Sequence, residues 1–154
     1  MARTSFLSSH SKSYLHVAAD NRIHVWDTLT RLEKRTYVEK NHLAHNYVSF
    51  SWKQSVKDNL GLFAVGCSDG VILIWDLVRG VVVQTLGTAN ESAVASDLAF
   101  SADSKSVFVS STQHNYIIEY RLSDGVQVNT YKCGKKGVSK LALNPKVEVI
   151  AVAR

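Results

Sequence analysis

The sequence predicts an all-β protein made of a repeated four-stranded antiparallel unit. Three observations carry this. Short runs rich in Val, Ile and aromatic residues alternate with turn signals along the whole chain. A tight pair such as Asp69-Gly70 separates consecutive runs, because Gly accepts a positive φ at no steric cost. The order of runs and turns then recurs, and Trp26, Trp75 and Tyr120 hold equivalent places, 49 and 45 residues apart (75 − 26 and 120 − 75). Four-stranded repeats of about 40–50 residues point to propeller blades.

The second copy is the clearest. "NYVSFSWK" (46–53) alternates with period 2, setting Tyr47, Ser49 and Ser51 on one face and Val48, Phe50 and Trp52 on the other. "LGLFAVGCS" (60–68) is apolar enough for a buried strand. "VILIWD" (71–76) follows the Asp69-Gly70 turn, "LVRG" turns the chain again, and "VVVQTL" (81–86) closes the unit. The first copy reads as "YLHVAA" (14–19), "RIHVWD" (22–27) and "LEKRTYV" (32–38). The third reads as 93–101, 106–111, 115–122 and 126–131. A fourth begins with "GVSKLALN" (137–144) and "VEVIAVA" (147–153). The blades are expected at about 1–40, 41–88, 89–133 and 134–154, the last incomplete. About three and a half blades make an incomplete ring, since closed propellers carry typically 4–8. The first reading is therefore the N-terminal part of a longer protein, with an open β edge prone to association; the alternatives are chains that assemble to complete the ring and a small open structure stable on its own.

These residues resemble the WD-repeat family. Trp26-Asp27 and Trp75-Asp76 match its namesake dipeptide at the end of a third strand, and "LAFSADSKSVFVSS" (98–111) is similar to its first-to-second strand segment. The resemblance covers nearly the whole chain and implies a WD-repeat β-propeller. It also implies a network of His, Asp, Ser or Thr, and Trp within a blade. Here no Gly-His pair precedes a first strand. His42 and His45 lie in a suitable loop of the second copy, the loop "GTANES" of the third has no His, and Tyr120-Arg121 replaces Trp-Asp there. Trp26 and Trp75 are both expected in the core.

Bulk properties set limits on function. The chain has 154 residues, 45% of them hydrophobic and 20% charged, which suits a globular core. The net charge of +5 fits contact with nucleic acid or an acidic partner, although no dense Lys/Arg run is present. Cys67 and Cys133 belong to no CxxC or Cys/His cluster and read as reduced side chains of an intracellular protein. The polar N-terminus has no continuous apolar segment of the signal-peptide type, and no apolar span of membrane length occurs, so no membrane association is expected.

No catalytic constellation is visible. Nucleophile-elbow, phosphate-loop and dinucleotide patterns do not occur, so neither enzymatic activity, a cofactor nor a small-molecule substrate is expected. His16 and His24 flank a predicted hairpin turn, but two ligands do not make a metal site. The better candidates are in loops. "YKCGKKGVSK" (131–140) places Lys132, Lys135, Lys136 and Lys140 around glycines between two blades, where they offer contact to phosphate or an acidic partner. The plain alternative is a solvated loop. "RLEKRTYVEKNH" (31–42) mixes both charges and reads as a solvated outer strand and loop.

Within the family, "YIIEYRLSDGVQVNTYKCGKKGVSKLALNP" (116–145) looks like the N-terminal propeller of the nucleolar t-UTP subunits of the WD-repeat-43 and Utp-five type. That resemblance implies a non-catalytic scaffold of the small-subunit processome, with roles in pre-rRNA transcription and processing and in ribosome biogenesis. It implies other subunits of a multi-protein complex as partners, proximity to pre-rRNA or snoRNA, and a nuclear, nucleolar location. The alternative is a cytoplasmic WD-repeat adaptor in signalling, transport or ubiquitin transfer.

Overall fold

Tight turns force neighbouring strands to pair antiparallel, and the sheets follow directly from them. The computed structural model describes residues 5–8, 14–19, 21–41, 43, 45–54, 61–89, 93–144 and 149–153. Strands β1 (Ser5–Ser8), β2 (Tyr14–Ala19), β3 (Arg22–Asp27) and β4 (Glu33–Tyr37) form the first sheet in that order. The second holds β5 (Tyr47–Gln54), β6 (Gly61–Cys67), β7 (Ile72–Asp76) and β8 (Val81–Leu86). The third holds β9 (Asp97–Phe100), β10 (Ser106–Ser110), β11 (Tyr116–Arg121) and β12 (Gln127–Lys132). A two-stranded sheet of β13 (Lys140–Leu143) and β14 (Ile150–Ala153) ends the series. The first strands β5, β9 and β13 pack against one another in turn, so the sheets stand as blades around their inner strands in an open ring.

The repeat extends to fine geometry. A register shift interrupts the third-to-fourth strand pairing between Val25 and Trp26, between Ile74 and Trp75, and between Glu119 and Tyr120. Each bulge re-aims the aromatic residue that follows it. The turn after each third strand is also shared. Its N–H···O bond runs from Arg31 to Asp27, from Gly80 to Asp76 and from Gly125 to Arg121, at 2.8–2.9 Å. The Asp of each Trp-Asp pair stabilises this turn: Asp27 Oδ1 accepts from the Leu29 and Thr30 amides, and Asp76 Oδ1 from those of Val78 and Arg79. The third blade has Arg121 there instead. Asp124 takes over, accepting from the Val126 amide and pairing with Arg121 at 2.9 Å.

Both faces of the second and third blades are buried, each against a neighbour. Ile23, Val25 and Tyr37 of the first blade pack on Phe63, Val65, Leu73 and Trp75 of the second. The opposite face of the second blade, Ala64, Ile72 and Ile74, packs on Leu98, Val107, Val109 and Tyr120 of the third. Tyr37 ties the first pair of blades together: its hydroxyl donates to the Leu77 carbonyl at 2.5 Å, and its ring lies 6.1 Å from that of Trp75.

Four expectations from sequence need correction. Trp26 is not a core residue, being 37% exposed against 2% for Trp75. The equivalent aromatic of each blade faces the blade before it, and among the described residues none stands before the first. The 46–53 strand does not keep its simple alternation. A bulge at Val48 shifts the register between Tyr47 and Ser49, so Tyr47 joins Phe50 and Trp52 against the first core cluster while Ser49 is buried and Val48 exposed. The strand read from residue 93 starts at Asp97, because 93–96 serve as an inter-blade loop. The first blade has an inner strand, β1, that its short serine-rich sequence did not announce.

The outer edge of β14 is unpaired among the described residues, beside a groove of about 390 Å³ lined by Phe108, Tyr131, Leu143 and Ile150. An open edge of this kind templates pairing with another strand. Light scattering of the 154-residue chain is therefore expected to show self-association that grows with concentration; a stable monomer would contradict it. Replacing Trp75 with Ala should cost about 3–5 kcal/mol in denaturant unfolding. Trp26→Ala should cost under about 1 kcal/mol in the same measurement, as surface substitutions do.

Candidate functional site

The connections β4–β5, β8–β9 and β12–β13 emerge at the same end of the blades as the β6–β7 and β10–β11 turns. Among the described residues, two clusters of candidate side chains lie at this end.

The first is the β12–β13 loop. Its ends are fixed by backbone bonds. The Cys133 amide donates to the Asn115 carbonyl at 2.7 Å and the Val138 amide to that of Ser111 at 3.0 Å. Asn115 Nδ2 donates to the Gly134 carbonyl at 2.6 Å, and Ser96 Oγ to the Val138 carbonyl at 2.6 Å. Val138 is fully buried. Gly137 is required by space: a Cβ there would meet the Thr112 carbonyl oxygen at 2.0 Å. Gly134 has φ +97°, which side-chain-bearing residues rarely adopt. These anchors hold Lys135 and Lys136 out at the tip, both exposed.

Three of the four candidate lysines stand exposed on the end of β12 and the β12–β13 loop. Among the described residues, Lys132, Lys135 and Lys136 make no ion pair. Lys140 differs, because its ammonium lies 3.7 Å from Asp97 Oδ1. That carboxylate also accepts from the Leu141 amide at 2.8 Å, so Lys140 serves the β9–β13 contact. Beside the loop, the rings of His114 and Tyr116 stack at 4.8 Å and 11°. Tyr116 is the register partner of Lys132. A basic loop beside an aromatic stack suits phosphate and base together. The only sequence signal for the stack is the two-residue spacing of His114 and Tyr116 at a strand start, which puts both on one face.

The second cluster is in the second blade. His45 Nδ1 lies 2.9 Å from Asp69 Oδ2, so His45 makes the His–Asp contact that the WD-repeat resemblance implies. His42 lies outside the described residues. Cys67 was expected to stand outside any cluster. Instead its sulfur, the His45 ring and the Asp69 carboxylate lie within 4.8 Å of one another. The hairpin turn brings Cys67 and Asp69 together, and a backbone bond from Ser68 N to Asn46 O brings His45 to them. Burial pushes the Cys67 thiol up to about 12, with the Asp69 and Glu39 charges adding to it. His16 and His24 form no cross-strand pair: His16 is registered with Val25 and His24 with Val17, and His24 Nδ1 lies 3.1 Å from Glu33. The described part of the mixed-charge segment, 31–41, is largely solvated as expected, apart from its buried anchor Tyr37.

No protein-family model and no curated protein sequence matches the chain. Solved structures do. A chain of the crystal structure of the mitotic checkpoint complex, a WD-repeat-type propeller, matches with a TM-score of 0.76 at 18% sequence identity. The match takes in 98% of this chain and 44% of that one, so this chain spans less than half the length of its neighbour. The fold is that of a WD-repeat propeller. It is widespread, with 892 matching chains, and so does not by itself select a partner.

The raised Cys67 pKa has a sign that can be checked. The folded state keeps this proton to higher pH than the unfolded chain, so its contribution to stability is full below the ordinary thiol range and is lost as pH climbs towards about 12. At pH 8, a thiol reagent should titrate Cys133 alone in the native protein and both cysteines after denaturation. Rapid native reaction of two thiols would contradict the burial of Cys67.

Proposed function

We propose that the protein is a non-catalytic interaction scaffold of the small-subunit processome type, acting in pre-rRNA transcription and processing in the nucleolus. Lys132, Lys135 and Lys136 are its contact to RNA. The observation that carries this is the anchored β12–β13 loop, whose lysines make no ion pair among the described residues and which lies beside the stacked His114 and Tyr116. A preset loop loses little conformational entropy on binding. The narrower placement is supported by the likeness of residues 116–145 to the t-UTP propellers. The propeller neighbour is part of a multi-protein complex, which is in keeping with protein partners.

Exchanging Lys132, Lys135 and Lys136 for Glu should lower affinity for single-stranded RNA more than tenfold. It should also reduce the salt slope of binding by about 2, as expected for three phosphate contacts at about 0.7 each. Filter binding across a salt series measures both. Unchanged affinity and slope would remove the loop from RNA contact. A tagged protein that fails to co-purify pre-rRNA, or that stays in the cytoplasm, would favour the adaptor reading.

A further inference from the structure

We propose that His45, Cys67 and Asp69 form a binding site for one divalent transition-metal ion of the zinc type. The donors come from two places: one turn fixes Cys67 and Asp69 together, and the loop before β5 brings His45 to them. His45 precedes β5, Cys67 ends β6, and Asp69 sits in the β6–β7 turn. Backbone bonds set the turn: Gly70 N to Cys67 O at 3.1 Å and Cys67 N to Val71 O at 2.8 Å. Asp69 Oδ1 is occupied by the Val71 amide at 3.2 Å, which leaves Oδ2 facing His45.

The donor set suits the ion. Zinc takes Cys sulfur at about 2.3 Å, His nitrogen at about 2.0–2.1 Å and carboxylate oxygen at about 2.0–2.2 Å, with three protein ligands and a water common in open sites. Ligand atoms around such an ion stand between about 3 and 4 Å apart. Here all three lie within 4.8 Å, with the nitrogen and oxygen at 2.9 Å, so small side-chain rotations gather them. His45 and Asp69 keep 16% and 18% of their side-chain surface in solvent, which provides an entry path. The Asp69 carboxylate beside the thiol and the imidazole supplies negative charge at the site. A cation offsets that charge, whereas a hydrogen-bonded His–Asp pair alone leaves it in place. On binding, the S–H bond breaks, the sulfur–metal bond forms and its proton passes to the buffer, while the proton that Nδ1 shares with Asp69 moves through solvent to Nε2 and frees Nδ1 for the metal.

The test is titration of the whole chain with cobalt(II) chloride. The expected result is a thiolate-to-cobalt absorption band that saturates at one ion per chain and is displaced by zinc chloride. Cys67→Ser, which leaves His45 and Asp69 in place, should abolish the band, and His45→Gln should weaken binding at least tenfold. Cys133→Ser should leave both unchanged. No band in the wild type, or a band that survives Cys67→Ser, would overturn the site. X-ray absorption of the zinc-loaded wild type needs no variant: one sulfur at about 2.3 Å is expected, and a shell of nitrogen and oxygen alone would also overturn it.

Discussion

Each blade of this protein has two apolar faces, and each face is buried only by an adjacent blade. Alternation along β6 shows the constraint: Phe63 and Val65 face the first blade, while Ala64 faces the third. A single four-stranded sheet cannot bury both faces alone, so stability accrues between blades rather than within them. Trp75 and Trp26 make the point within one chain. They have the same motif, the same preceding bulge and the same following turn, yet only Trp75 is buried, because among the described residues only it has a blade in front of it.

The turns serve this packing. Asp27 and Asp76 stabilise the turn after the third strand, which sets where the fourth strand begins. Where the third blade has Arg121, Asp124 supplies the same service from a different position. The aromatic and the turn are thus separate requirements that Trp-Asp happens to meet together. At the other end of the blades, the inter-blade loops are fixed by neighbouring turns. Asn115 and Ser111 hold the lysine loop, and the Asp69 turn holds His45. Rigid blades therefore present their chemistry on loops that are themselves well anchored.

The strands were legible because β-branched runs and Asp-Gly turns signal them locally. Strand β1 was not, since four residues beginning with Ser carry almost no periodicity. The Val48 bulge was hidden because an apolar-polar alternation assumes one buried face, and an inner propeller strand has two. The lysine loop was legible from its composition. Its sorting was not: Lys140 is claimed by Asp97, 43 residues earlier (140 − 97), and nothing local reveals it. Cys67 and Asp69 are near in sequence, but His45 reaches them only through the strand pairing of β5 with β6.

Amide hydrogen exchange, resolved by strand, tests the central claim most directly. If blades stabilise one another, protection should peak in β6, β7, β9 and β10, which have a blade on both sides, and fall off in β2, β3 and β14. Protection as high in β14 as in β6 would contradict the account, because each blade would then be holding itself together.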